Sequence, residues 1–190
     1  MSEAYIKGKN FKGQDYHSQP FLLGEYDHCT FSECVFSNSD LSECIFSSCE
    51  FENCDLSLVV LKETVFRKVK FKKCKLLGLR FDHCDSFTLS FQFENCILSF
   101  SSFYKLKLKN ILFDDCKLDE VEFSQADLTN AVFKHCDLTR AAFEGTLLEH
   151  ADFRTAFHFS INPGINRMKK AKFSMENIVG LLDHYDIIIE

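Results

Sequence analysis

The chain has no tryptophan and only two prolines among 190 residues, and no proline-rich stretch offers a linker between domains. No apolar run is long enough to span a bilayer, and no basic segment leads into an apolar one at Met1, so neither a membrane span nor a signal peptide is expected. A soluble cytoplasmic protein is the default reading. Nucleophile-elbow, phosphate-loop, HExxH and CxxC patterns are all missing, and the seven histidines are scattered. An enzyme, a cofactor site and a metal site are therefore not expected. Lys and Arg are absent from 25 to 55, where eight acids (Glu25, Asp27, Glu33, Asp40, Glu43, Glu50, Glu52, Asp55) stand alone.

What the chain has in excess is phenylalanine, 22 residues, and cysteine, 10 residues, within a 46% hydrophobic composition. Such a chain builds a core, and its length suits one domain or two. Without a secretory signal, the cysteines are expected to be reduced thiols.

Every fifth residue from Phe11 to Phe81 is large and apolar or aromatic. The series fails at Ser86 and resumes two residues out of phase at Phe93, continuing to Phe153. A period of five suits neither a helix nor a straight strand, so a turn must occur in every repeat. The position two before each large residue is small or apolar and points the same way in an extended segment. Four such sides closing a square coil would place neighbours four repeats apart in sequence, with the inserted pair added where the register shifts.

Two columns test this arithmetic. One reads Phe11, Phe31, Phe51, Phe71, Phe93, Phe113, Phe133, Phe153; the other reads Cys34, Cys54, Cys74, Cys96, Cys116, Cys136. Both need the same two-residue shift, and three or five sides would scramble both. The expected fold is an all-β solenoid, a rod about 34 Å long at a strand spacing of roughly 4.8 Å. The cysteines take the small inward position, where packing rather than metal or disulfide chemistry is expected. In this register His28, His83 and His135 point outward beside inward cysteines.

The stretch ADLTN AVFKH CDLTR AAFEG TLLEH ADFRT (126–155) resembles the pentapeptide-repeat proteins. The resemblance covers about 11–157 and implies a right-handed quadrilateral β-helix. Residues 1–10 are then read as an N-terminal cap, 11–157 as the repeat rod with its insertion between 86 and 93, and 158–190 as a C-terminal cap and dimerisation segment.

In that last segment Asn162-Pro163-Gly164 is a turn. Ser174 is positioned to cap a short helix from about Met175 to His184, with Phe173 and Ile178 as its staple. A strand, Ile187-Ile188-Ile189, is expected to end the chain. GLLDHYDIIIE after INPGINR resembles the topoisomerase-protecting branch of the family, represented by Qnr, MfpA and McbG. What this resemblance implies is a cytoplasmic homodimer joined through Leu181, Leu182, Ile187, Ile188 and Ile189. Its acidic surface would imitate duplex DNA on DNA gyrase or topoisomerase IV, in quinolone resistance or toxin immunity.

The chain lacks the long projecting loops of Qnr proteins, and its charge is zoned. A basic belt (Lys62, Arg67, Lys68, Lys70, Lys72, Lys73, Lys75, Arg80) separates the acidic zone at 25–55 from a second one at 110–155. Glu50–Lys70, Glu52–Lys72 and Asp55–Lys75 are expected to pair between coils. A net charge of −6 argues against direct nucleic-acid binding. The expected partner contacts are Asp114, Asp115, Asp119, Glu120, Glu122 and Asp127, in the zone nearest the C-terminus. The alternative is a structural or protein-interaction rod with a different protein partner.

Overall fold

A computed structural model describes residues 4–185, 187 and 188. Eleven short strands appear, from β1 (Ala4–Lys7) and β2 (Asn10–Lys12) to β10 (Leu112–Asp114) and β11 (Val132–Lys134). All their pairings are parallel. Phe11 lies beside Phe31, Phe31 beside Phe51 and Phe51 beside Phe71, each four repeats on. Phe71 is then paired with Phe93, so the extra pair of residues falls where the text of the sequence places it. The molecule is a parallel β-solenoid of about seven turns.

The interior is a set of aromatic columns. Along the phenylalanine column from Phe11 to Phe153, successive rings stack with centroids 4.7 to 5.4 Å apart. Phe173 does not staple a helix; it continues the column, stacked on Phe153 at 5.3 Å. Its distance in sequence from Phe153 is the same four-repeat step that separates the other rings. Strand register also runs past the repeat text, through the bridges Leu147↔Arg167 and Asp152↔Lys172, and β1 is already paired with Gly24–Asp27.

All ten cysteines are buried and free. Each thiol of Cys49, Cys54, Cys74, Cys96 and Cys136 lies within 3.2 to 3.4 Å of a main-chain carbonyl one coil below. Thr64, Ser101 and Thr146 occupy the same kind of position and donate their hydroxyls to Leu41 O, Leu76 O and Phe123 O. The small inward residue therefore fills space and also serves a backbone acceptor facing the interior. Burial pushes the Cys49 thiol up to about 12 and raises Cys34, Cys44 and Cys84 as well, which keeps these groups protonated and unreactive.

The corners carry the strain. Among the described residues, twenty-three non-glycine residues have positive φ, including His28, Lys68, Asp115 and Glu120. They occupy the middle of the turn between one large residue and the next, where glycine would be easiest. Because the neighbouring coils fix both flanking strands, the corner keeps this conformation and turns its side chain outward. Charged corner residues thus line the edges of the rod.

The C-terminal segment departs from the expected helix. It forms two 3₁₀ turns, Ile178–Leu181 and Asp183–Tyr185, and Ile187 and Ile188 belong to no strand; Ile189 lies outside the described residues. Ser174 and Asn177 do form the reciprocal cap, each side chain accepting the other's backbone N–H at 3.3 and 2.9 Å. Asn177 then uses its amide to donate to Phe153 O and Ala156 O, tying the segment to the last coil. The Gly180 carbonyl accepts from Ile161 N–H at 2.9 Å, so it is not free to extend an α-helical ladder. A Cβ at Gly180 would collide with the Phe159 carbonyl oxygen and its ring.

This packing sets the expected cost of two substitutions. Phe113→Ala removes a fully buried ring from the middle of its column, and chemical denaturation should show a loss of about 3–5 kcal/mol. Gly180→Ala should undock the C-terminal segment while leaving the repeat coils folded. Amide exchange should then accelerate at residues 174–185 and stay unchanged at Phe113 and Phe133.

Candidate functional site

The surface available to a partner is the outside of the rod, because its interior is filled. Among the described residues, no group of three or more His, Cys, Asp or Glu is placed to hold a metal ion. No helix among the described residues is long and apolar enough to cross a membrane. Depressions on the exterior are shallow. One of about 610 Å³ lies beside the 16–23 segment and is lined by His17, Gln19, Pro20, Asp40 and Glu43.

The six acids expected to meet a partner are close in sequence and spread in space. Asp114 lies on the side formed by the phenylalanine strands, and Asp115 and Glu120 stand on two successive corners. Asp119 is on the side between those corners. Glu122 and Asp127 are bridged to Ala142 and Leu147 on the two remaining sides. They encircle one coil, so a flat partner could not touch all of them at once. Three are also engaged within the chain: Lys134–Asp114 at 2.9 Å, Arg140–Glu120 at 2.6 Å and Lys109–Asp127 at 3.3 Å. Asp119 accepts from Ser99 Oγ, and Glu122 accepts from Ser124 N–H.

The basic belt behaves differently from the expectation of charge pairing. Glu50↔Lys70, Glu52↔Lys72 and Asp55↔Lys75 are neighbours on adjacent coils, as the arithmetic requires. None of the three closes into an ion pair among the described residues. Lys72 instead reaches upward to Glu94 at 3.6 Å, and Arg80 pairs at 2.7 Å with Asp82, two residues on in the 3₁₀ turn Phe81–His83. Register sets which backbones adjoin, but a long lysine side chain standing in water chooses between the coil above, the coil below and solvent. Lys62, Arg67, Lys68, Lys70, Lys73 and Lys75 take no carboxylate partner among the described residues.

At the C-terminal end, Leu181 packs against the core of its own chain and Leu182 is half-buried. Ile187 and Ile188 are exposed, Ile188 to 90%, and the apolar side chains of Ile178, Val179 and Tyr185 in the same segment are exposed as well. Exposed apolar side chains concentrated in the last segment of a charged rod are the kind of surface that associates. Further exposed apolar side chains have no counterpart in the sequence reading, among them two groups. Phe87, on the two-residue insertion, is 94% exposed, and Leu58 and Phe100 flank Gly78 along one corner. Phe87 is detectable in the text as the large residue that the broken register leaves without a column.

Comparison with known proteins agrees with the coil geometry. The family model described as pentapeptide repeat region matches residues 25–92 and 86–156. No curated protein matches the chain in sequence. Among solved structures, a trypsin-treated form of QnrB1, described as a plasmid-mediated fluoroquinolone resistance protein, is 16% identical. It covers 99% of this chain and 98% of its own, with a TM-score of 0.62. A second trypsin-treated form is 15% identical and covers 98% and 92%, with a TM-score of 0.57. HetL, a pentapeptide repeat protein involved in heterocyst differentiation regulation from the cyanobacterium Nostoc, is 17% identical over 91% of this chain and 85% of its own, with a TM-score of 0.37. With its five-residue side, its four-sided coil and the family match over most of its length, the chain belongs to the pentapeptide-repeat proteins.

Proposed function

We propose that this protein is a non-catalytic mimic of duplex DNA that binds a type II topoisomerase, DNA gyrase or topoisomerase IV. By occupying the DNA site it protects the enzyme from a quinolone or a peptide toxin. The observation that carries the reading is the extent of the likeness to the fluoroquinolone resistance protein QnrB1, which takes in the whole rod and the C-terminal segment. Electrostatics support it: the chain has a net charge of −6, with its carboxylates spread over a convex surface. A DNA-binding saddle is cationic and concave, so it would wrap several sides of the rod at once. That shape suits a ring of acids such as Asp114, Asp115, Asp119, Glu120, Glu122 and Asp127 better than a flat partner would.

The proposal includes a cytoplasmic homodimer joined end to end at the C-terminus. Ile187 and Ile188 are its central contacts, with Leu182 at the margin and Leu181 bracing the segment from within. Dimerisation would lengthen the acidic surface, and it would bring the two zones at 110–155 toward the centre. The alternative is an interaction rod for a different protein. It is favoured by the internal pairing of Asp114, Glu120 and Asp127, which lowers the charge these groups present.

In a gyrase supercoiling assay, micromolar protein should either inhibit the enzyme or restore supercoiling in the presence of a fluoroquinolone. If both effects are absent for gyrase and for topoisomerase IV, the alternative stands. The dimer is tested separately by light scattering, where Ile188→Asp should halve the mass while leaving the circular dichroism spectrum unchanged. An unaltered mass would fail this interface.

A further inference from the structure

We propose that the edge of the rod centred on Lys68 binds single-stranded nucleic acid, with Arg67, Lys68 and Lys70 holding phosphates and Phe87 stacking on a base. Three observations meet at this edge. The first is charge: Arg67, Lys68 and Lys70 are exposed and make no ion pair among the described residues, although acids surround the belt in sequence. The net charge of −6 opposes an anionic partner on the molecule as a whole, so any attraction must be local, and these unpaired cations are the groups that supply it.

The second is the composition of the edge itself. Its corner residues include His28, Ser48, Lys68, Asn110 and Asn130, with Ser90 entering the same row across the insertion, since Val69 pairs with Phe91. No carboxylate stands in this row. Each of the other three rows of corners carries at least one: Glu33 and Asp115, Glu43 and Glu63, and Glu120. A groove just above, lined by Ser90, Gln92, Lys107, Lys109 and Asn110, adds hydroxyls, amides and two more cations. Of these, Lys109 is shared with Asp127.

The third is the aromatic ring. The insertion leaves Phe87 94% exposed. Its backbone is held by Asp85, whose carboxylate accepts the Phe87 N–H at 2.8 Å, and Arg67 Nε donates to Thr88 Oγ1 at 3.0 Å. The guanidinium of the belt is therefore tied to the residue next to the exposed ring. Cations that track a backbone next to an aromatic face form the recognition pattern for single strands.

Shape selects the single strand over a duplex. Arg67, Lys68, Lys70 and Lys72 follow one coil across the rod, and the belt there is one coil wide, roughly 5 Å. Glu50 and Glu52 lie on the coil below, and Glu94 lies on the coil above. An extended strand fits between these carboxylates; a duplex overlaps them. An acidic peptide satisfies the charges but makes poor use of Phe87, whose ring is 94% exposed and presents a flat face suited to stacking.

The absence of tryptophan supplies a direct probe, because Phe87→Trp introduces a single reporter at an exposed position. Addition of an oligothymidylate of about 20 nucleotides at low salt should quench that tryptophan, and fluorescence anisotropy of the labelled oligonucleotide should saturate with the unsubstituted protein. Combined Arg67→Glu, Lys68→Glu and Lys70→Glu should weaken binding about tenfold or more and flatten its salt dependence. Phe87→Ala should weaken it about fivefold and leave the salt slope unchanged. Thermal melts matching the parent would show that the variants are folded. The proposal is overturned by no binding at low salt, by variants that bind like the parent, or by duplex DNA or a polyglutamate peptide binding as tightly as the single strand.

Discussion

Everything in this molecule depends on the chain returning to the same place once in every four repeats. That return lets each strand hydrogen-bond to the coils on either side, and it stacks like on like: ring on ring, thiol over carbonyl, corner over corner. Stacked rings with centroids near 5 Å give each coil a large apolar contact with its neighbours. The corners are sterically costly for residues other than glycine, and they persist because two fixed strands leave the intervening residues no other path. The interior is therefore fully committed, and recognition falls to side chains on the outside.

The exterior is arranged by the same rule. A residue and its counterparts one coil above and below form a row along the rod, and several ion pairs follow this spacing, among them Asp114–Lys134 and Glu120–Arg140. Consecutive residues, by contrast, travel around the rod. The acids from Asp114 to Asp127 form a girdle rather than a patch, and the basic belt is a second girdle. A surface divided into girdles presents alternating charge along its length, while any one edge can depart from the average, as the acid-free row through Lys68 does.

Much of this was legible in the text because a solenoid converts sequence spacing directly into spatial adjacency. The phenylalanine and cysteine columns and the position of the insertion follow from counting. Counting fails where side chains or termini choose among competing partners. Lys72 has a glutamate on each side, and no periodicity says that it bonds to Glu94. Ser174 carries a helix-cap signal that is used, yet the segment winds into 3₁₀ turns because the Gly180 carbonyl is claimed by Ile161. Phe173 has both a helix-staple context and a place in the phenylalanine column, and burial against Phe153 prevails. As for the candidate site, its residues could be named from the sequence, but their distribution over four sides emerges only when the register is carried around the coil.

The regular return also bears on how the chain reaches its fold. Contacts between strands normally join distant parts of a sequence, which makes all-β proteins slow to assemble. Here almost every strand contact spans the same short interval, roughly one tenth of the chain length, a value in the range of helical bundles rather than of β-sandwiches. Closing each new coil costs the entropy of one short loop onto an existing template. Assembly can therefore begin at any pair of coils and advance by addition at the ends, with the Asn177 and Gly180 contacts marking where addition stops.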